Sequence, residues 1–168
     1  LTEIGDRIYL KGVNPNGFVG EGYLDGDGFS VMDLTGSLYC HGNAQSLVDG
    51  DNPTLVAKQL PPFCDYRYMT QGEPTALLTA PELPATTLTE GCYSSMFAGC
   101  ASLTEAPELP ATTLANRCYM NMFYGCASLT EVPERLPATT LANTCYYSMF
   151  RDCRSLTQAP ELPATTLA

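Results

Sequence analysis

LPATTLANRCYMNMFYGCASLTEVPER, residues Leu109 to Arg135, decides the fold, because the chain carries this stretch three times in succession with few changes. The copy before it, Leu83 to Glu108, reads LPATTLTEGCYSSMFAGCASLTEAPE, and the copy after it, Leu136 to Glu161, reads LPATTLANTCYYSMFRDCRSLTQAPE. A fourth copy begins with LPATTLA at Leu162. The copies start 26, 27 and 26 residues apart, and Arg135 accounts for the one lengthening. A fixed period of this length predicts a solenoid, in which each copy packs on its neighbours.

The apolar residues in the middle of each copy predict a short helix. In the second copy they are spaced as one broad apolar helix face: Leu114, Cys118, Tyr119, Met122 and Phe123. We expect Asn116 to cap the start of this helix and Gly125 to end it. So short a helix is marginal in water, and neighbouring copies must therefore hold it in place.

The rest of each copy predicts a strand and a turn. Leu129 and Val132 would point inward from a short strand, and Pro133 would end it because proline cannot donate to a sheet ladder. LPATTL predicts an extended turn, since the residue before a proline favours an extended conformation. The predicted fold is therefore an α/β repeat solenoid, a leucine-rich-repeat stack with a short parallel strand, a turn and a short helix per copy.

The repeats divide the chain into two predicted domains. We assign the solenoid to residues 60–168, with a degenerate copy at 60–82, full copies at 83–108, 109–135 and 136–161, and the start of the next at 162–168. Residues 1–59 lack the repeat and carry short apolar runs, which predicts a β-rich N-terminal cap for the open end of the stack. Within it, residues 35–37 would turn a hairpin and residues 43–48 would form one helical turn. An independent ligand-binding module is the alternative for residues 1–59.

The net charge of −10 and the isoelectric point near 4.3 limit the partners. Phosphate binding needs clustered Lys and Arg, whereas the eight such residues of this chain are scattered, so we expect no nucleic-acid partner. The same charge disfavours docking on anionic lipid. No apolar run approaches the roughly 18 residues of a membrane span, so we expect no direct membrane insertion by this segment.

Six of the eight cysteines occupy two fixed positions of the repeat: Cys92, Cys118 and Cys145 in the first, and Cys100, Cys126 and Cys153 in the second. We interpret them as small, reduced core residues, because free cysteine is among the most buried residue types. A disulfide between stacked copies is the alternative. Zinc sites favour C-x2–4-C spacings and not the C-x7-C spacing of this repeat. We therefore expect no metal site and no cofactor.

Two short motifs give only weak signs of chemistry. Asp25-Gly26-Asp27-Gly28 resembles part of a calcium loop, but Phe29 stands at the third ligand position, and such a run is more often a turn. Cys40 and His41 are adjacent, so on a strand they would point to opposite faces and could not act as a catalytic pair. The GxSxG, Walker and GxGxxG motifs do not occur in the sequence. We expect no enzymatic activity.

Two groups of surface residues are candidates for binding. The first group forms acidic rows, because parallel neighbours about 4.8 Å apart would place equivalent carboxylates side by side: Glu105 with Glu131, and Glu82 with Glu108, Glu134 and Glu161. These rows predict either a solvated face that discourages self-association or a surface for a cation-dependent or basic partner. The second group differs between copies on the predicted helix side, where Tyr and Arg are typical of binding hot spots: Arg117, Met120, Tyr124, Tyr147 and Arg151.

The motif CYxxMFxGCxSLTxAPELPATTLA resembles the repeat of the BspA-like leucine-rich-repeat proteins, which are surface proteins of anaerobic gut and mouth bacteria. The likeness covers about residues 60–168, and this chain has a long form of that repeat. The resemblance implies a cell-surface or secreted protein that binds a host or bacterial surface protein, or a glycan, and mediates adhesion. We expect the protein to be a monomer. The alternative is a structural spacer or a display repeat of the phage-tail type.

Overall fold

The computed structural model describes residues 38–44, 56–57 and 77–167, with the backbone alone at Leu38 and at 56–57. Six short strands form within these residues, which contain no helix: β1 (Leu38–Tyr39), β2 (Val56–Ala57), β3 (Leu77–Thr79), β4 (Thr87–Leu88), β5 (Thr140–Leu141) and β6 (Thr166–Leu167).

Strand pairing in the described residues is parallel throughout. β1 pairs with β3, β2 with β4, and β5 with β6, which gives three two-stranded sheets. Single parallel bridges continue the same pattern between copies: Thr87 with Thr113, Glu105 with Glu131, and Arg135 with Glu161. Each of these partners is one copy further along the chain, so consecutive copies lie side by side in parallel register.

The strands do not fall where the sequence predicted them. The predicted strand around Leu129 and Val132 is reduced to the single Glu105–Glu131 bridge. The LPATTL segment, which was predicted to be a turn, supplies β4, β5 and β6 through its Thr-Leu pair. Threonine is β-branched and favours the extended backbone, and the proline upstream keeps the segment out of a helix.

The predicted helix is also absent, and a run of consecutive turns takes its place in each copy. We call these runs the turn segments; they span residues 90–99, 116–125 and 143–152. Along each turn segment every second residue has a positive φ, except at the phenylalanine. In the first copy these residues are Gly91, Tyr93, Ser95 and Gly99. Positive φ at the third residue of a turn is the requirement of type II geometry.

This alternation sends the N–H groups in two directions. The N–H of Ser94 donates to the carbonyl of Gly91 at 3.1 Å and closes a turn within the copy. The N–H of Ser95 instead donates to the carbonyl of Met120 at 2.8 Å, across to the next copy. A helix would direct every N–H back along its own axis, whereas the turn segment uses half of its N–H groups to hold the neighbouring copy.

The residues expected to cap the helix serve these contacts between copies. The side-chain oxygen of Asn116 accepts the N–H of Asn143 at 3.2 Å, so it does not cap its own segment. Gly125 has a φ of 74° and donates its N–H to the carbonyl of Arg151 at 2.8 Å. The third copy has Asp152 at the equivalent position, with a φ of 61°.

The turn segments are stabilised by what they bury. A residue other than glycine in the left-handed region costs roughly 1–2 kcal/mol. Against this cost, a fully buried Phe, Met or Tyr side chain contributes about 1.5–3 kcal/mol, and each hydrogen bond adds about 0.5–1.5 kcal/mol. Two columns of stacked rings run through the core: Tyr93, Tyr119 and Tyr146 at 5.7 and 5.5 Å, and Phe97, Phe123 and Phe150 at 5.5 and 5.6 Å between centroids.

Only parts of the predicted N-terminal cap belong to the described residues. β1 and β2 both pair in parallel with segments next to or within the first full copy, and Asn43 is bridged to Glu82. The predicted boundary at residue 59, the hairpin turn at 35–37, the end of the helical turn at 45–48 and most of the degenerate copy lie outside the described residues.

Candidate binding surface

The first acidic row is present as a pair of adjacent carboxylates. Glu105 and Glu131 are bridged in parallel: the N–H of Glu131 donates to the carbonyl of Thr104 at 3.1 Å, and its carbonyl accepts the N–H of Ala106 at 2.9 Å. Both Glu side chains are exposed. Beside them, the Thr130 hydroxyl donates to the Thr104 carbonyl at 3.2 Å, which ties the two copies together at this position.

The second acidic row does not form the expected ladder, because its bridged members pair with other residues: Glu82 with Asn43 and Glu161 with Arg135. Glu82, Glu108, Glu134 and Glu161 are all exposed, but the bridging partner of Glu161 is Arg135 and not Glu134. The Arg135 Nε lies 3.9 Å from a carboxylate oxygen of Glu161, with both side chains more than half exposed. The extra residue of the second copy therefore places a cation where the equal spacing predicted another carboxylate.

The structure brings two of the residues that vary between copies into contact. The guanidinium carbon of Arg151 lies 5.6 Å from the centroid of the Tyr124 ring, within the range of a cation–π interaction. Arg151 Nε also lies 3.8 Å from a carboxylate oxygen of Asp152. Since Tyr124 and Arg151 occupy the same position in consecutive copies, the parallel register is what places them together.

The other residues of this group lie on the same turn segments. Tyr147 is 60% exposed, and Arg117 is exposed. Met120 is half-buried, and its carbonyl accepts both the Ser95 N–H at 2.8 Å and the Ser94 hydroxyl at 3.2 Å. These side chains stand on backbone that is hydrogen-bonded to the adjacent copy.

The repeated cysteines are mostly free thiols, as predicted, with one exception. Five of the six are free, and Cys100 is disulfide-bonded. Its partner is not among the other described cysteines, all of which are free. The thiols of Cys126 and Cys153 donate to the carbonyls of Phe97 and Phe123, each at 3.1 Å, so these cysteines also join adjacent copies.

Burial makes these thiols weak nucleophiles. Desolvation raises the pKa of Cys118 and of Cys153 to about 11, and raises the pKa of Cys92 and Cys126 further. It also raises the pKa of Cys40, which is half-buried next to the exposed His41. A reactive thiol needs a lowered pKa, so the thiols act as packing groups and hydrogen-bond donors.

A feature that the sequence reasoning missed is the state of the tyrosine hydroxyls. The hydroxyl oxygens of Tyr119 and Tyr146 are buried and have no hydrogen-bond partner among the described residues. Burial raises the pKa of both phenols. Neighbouring tyrosines and cysteines raise the pKa of Tyr119 further, and neighbouring cysteines raise the pKa of Tyr146 further. The signal available in the sequence was a tyrosine in all three copies, at a position where phenylalanine would pack equally well.

The described part of the chain contains no group of three or more His, Cys, Asp or Glu side chains that could hold a metal ion. None of its segments forms a helix long and apolar enough to cross a membrane. The calcium-like stretch at 25–28 lies outside the described residues.

Comparison with known proteins adds no relative. A scan against models of protein families, a search of curated proteins and a search of solved structures each found no match to the chain.

Proposed function

We propose that this chain is a non-catalytic leucine-rich-repeat protein of the BspA-like kind, at the cell surface or secreted, that mediates adhesion by binding a protein or a glycan. The observation that carries the proposal is the contrast between the two sides of each turn segment. In the second segment Tyr119 and Phe123 stack in the core, while Tyr124 is partly exposed. In the third segment Tyr146 and Phe150 continue the two columns, while Tyr147 and Arg151 are exposed.

The arrangement of these surface residues favours recognition. Tyr and Arg are enriched among the residues that dominate binding energy, and they act best when held in place before the partner arrives. Hydrogen bonds of 2.7 to 3.0 Å between copies fix the backbone beneath them. The Arg151–Tyr124 contact presents a cation and an aromatic ring together, which suits a partner with both a carboxylate or hydroxyl group and an apolar face.

The acidic rows favour a partner that carries basic side chains at the rim of the interface. Glu105 and Glu131 are exposed and adjacent, and the chain carries a net charge of −10. Charges at the rim of an interface mainly raise the association rate, and salt screens this effect. The proposed surface therefore combines contact residues on the turn segments with acidic rows that attract the partner.

The cysteines are compatible with a location outside the cell. The disulfide at Cys100 is typical of proteins in oxidising surroundings. The buried thiols of Cys92, Cys118 and Cys126 have raised pKa values, so they stay protonated at neutral pH and resist oxidation. This pattern supports the extracellular or cell-surface location that the resemblance implies.

An array of host matrix proteins and glycans, probed with the purified chain, tests the proposal. We expect binding at micromolar concentration that is lost in the double variant Tyr147→Ser, Arg151→Ser. A matched variant, Glu105→Gln with Glu131→Gln, should bind the same partner more slowly and with a weaker dependence on salt. If nothing on the array binds, or if the Tyr147 and Arg151 changes leave binding intact, the proposed surface is wrong and the structural-spacer function is favoured.

A further inference from the structure

One column of the core contains both a disulfide-bonded cysteine and free thiols. We call it the second cysteine column, and its members are the equivalent cysteines Cys100, Cys126 and Cys153 of the three full copies. Cys100 is disulfide-bonded, while Cys126 and Cys153 are free, and all three side chains are buried. A free thiol that lies next to a disulfide can exchange with it, so the geometry of this column decides what its thiols can do.

The thiol of Cys126 lies against the backbone of Cys100. It donates to the Phe97 carbonyl at 3.1 Å, and the same carbonyl accepts the N–H of Cys100 at 3.0 Å. Burial raises the pKa of the Cys126 thiol, and a hydrogen bond from the Cys100 backbone opposes part of this rise. The free sulfur of the second copy therefore sits beside the residue that carries the disulfide.

The same arrangement recurs one copy later. The thiol of Cys153 donates to the Phe123 carbonyl at 3.1 Å, and this carbonyl also accepts the N–H of Cys126 at 3.1 Å. A hydrogen bond from the Cys126 backbone also reaches the sulfur of Cys153. Each free thiol of the column thus lies against the equivalent cysteine of the copy before it.

The distance between copies suits a disulfide at this position. The rings of Phe97 and Phe123, which precede Cys100 and Cys126 by three residues each, stack with their centroids 5.5 Å apart. A disulfide joins residues whose Cα atoms are about 4.4–6.8 Å apart, and parallel neighbours about 4.8 Å apart fall within this window. A bond between Cys100 and Cys126 is therefore compatible with the existing packing of the first two copies.

We propose that the second cysteine column passes its disulfide from one copy to the next by thiol–disulfide exchange inside the folded stack. The Cys126 thiol loses its proton to solvent, and its thiolate attacks the sulfur of Cys100. The bond between Cys100 and its present partner breaks, and the partner leaves as a thiolate that takes up a proton. A Cys100–Cys126 disulfide remains, and Cys153 can repeat the step on Cys126. One S–S bond forms as another breaks, so no oxidant or reductant is consumed.

Burial slows this exchange but also confines it to the column. Few chains hold the Cys126 thiolate at neutral pH because its pKa is raised, but a thiolate of higher pKa is also the stronger nucleophile. Its position beside Cys100 gives it an effective concentration far above that of a thiol in solution. Because the column is buried, soluble thiols do not compete with it.

The other cysteines of the repeat provide an internal comparison. We call them the first cysteine column: Cys92, Cys118 and Cys145, all of which are free. The sulfurs of Cys118 and Cys145 take hydrogen bonds from the backbone of their own copies, at Ala115 and Ala142. The first column has no disulfide to pass on. The inference is independent of the function proposed above, because it concerns the core and not the exposed surface.

Disulfide mapping of the full 168-residue chain tests the proposal. The folded chain is kept at pH 8 under argon, without added thiol or oxidant, and samples are quenched in acid at intervals. Pepsin cuts beside phenylalanine and so separates the two columns, and the acid stops further exchange during digestion. Mass spectrometry of the linked peptides should show a Cys100–Cys126 bond that grows with time, while the total of free thiols stays constant. A chain that already carries this bond when isolated supports the proposal equally.

Two matched variants make the outcome decisive. Cys126→Ala should slow the appearance of any new link to Cys100 by about tenfold or more, whereas Cys118→Ala, at an equally buried position of the first column, should leave the rate unchanged. If Cys126→Ala does not fold, the wild-type map alone is sufficient, since it shows which cysteines Cys100 joins. The proposal is overturned if Cys100 keeps its present partner throughout or is found as a free thiol. Links from Cys100 to the first column that form as fast as those to Cys126 also overturn it, because they indicate scrambling through unfolding.

Discussion

Replacement of the middle ring of the phenylalanine column is the sharpest test of how the copies are held together. Phe123 is fully buried and stacks on Phe97 at 5.5 Å and on Phe150 at 5.6 Å. A Phe→Ala change in a core costs about 3–5 kcal/mol, and each aromatic pair contributes about 0.5–1.5 kcal/mol beyond burial. We therefore expect Phe123→Ala to lower the free energy of unfolding by about 3–5 kcal/mol, out of a total of roughly 5–15 kcal/mol.

Phe150→Ala is the matched control, since this ring is partly exposed and stacks on one described neighbour. We expect it to cost about half as much as Phe123→Ala, because it loses one ring pair and less burial. Urea unfolding followed by far-ultraviolet circular dichroism, with the Cys100 disulfide kept oxidised, measures both changes. If Phe123→Ala does not fold, the Phe→Leu pair should show the same order with smaller losses. Equal losses at the two positions would refute the stacking of copies through this column.

Three further predictions concern the thiols and the turn segments. Alkylation at pH 8, read out by peptide mass spectrometry, should label the half-buried Cys145 about tenfold faster than the buried Cys126; equal rates would contradict the burial described. Burial raises the pKa of Cys118 from 9.0 to about 11, so the folded state holds this proton more tightly than the unfolded state. That stabilisation is fully present below pH 9 and is lost as the pH rises towards 11, and Cys118→Ala should flatten the fall in unfolding free energy over this window. Gly125→Ala should cost about 1–2 kcal/mol because φ is 74° there, whereas Asp152→Gly should stabilise the chain by up to about 1 kcal/mol. Thermal unfolding of both variants checks the opposite signs.

The sequence was sufficient to find the repeat and to identify its core. Positions that are the same in all three copies, such as Cys118, Met122 and Phe123, are buried. Packing between copies explains why, since a side chain that must stack on its own equivalent has little freedom to change. The prediction worked at the level of which residues face inward, because that property depends on hydrophobicity and spacing alone.

The backbone of the turn segments could not be read from the same spacing. Apolar residues four positions apart fit a helix of 3.6 residues per turn. They fit equally well a run of turns in which the direction of the side chains repeats every four residues. Cys118-Tyr119 and Met122-Phe123 are adjacent buried pairs, and two residues that are only partly buried, Met120 and Asn121, lie between them. Together with few strong helix formers, this strict pairing was the available signal for turns. Periodicity fixes the inward face but not the hydrogen-bond partner of each N–H.

The candidate surface was predicted in part. Equal spacing brought Glu105 and Glu131 together as expected, and it placed Tyr124 and Arg151 at equivalent positions of adjacent copies, where the structure adds their cation–π contact. The pairing of Glu161 with Arg135 was missed, because one inserted residue changes which neighbour is bridged. The disulfide at Cys100 was also missed, since nothing in the repeat distinguishes this cysteine from its equivalents.

The alternation of φ along the turn segments constrains how a chain of this kind can change in length over evolution. One residue inserted within such a segment would exchange the left-handed and right-handed positions after it, and would turn every later N–H away from its partner. The three segments accordingly have the same length, at 90–99, 116–125 and 143–152. Arg135 lies instead between two turn segments, in a stretch that we call a corner. It forms a single bridge to Glu161 there, so the extra residue leaves the alternation of φ within the segments unchanged. Insertions and deletions should therefore accumulate at these corners, while whole copies are gained or lost as units.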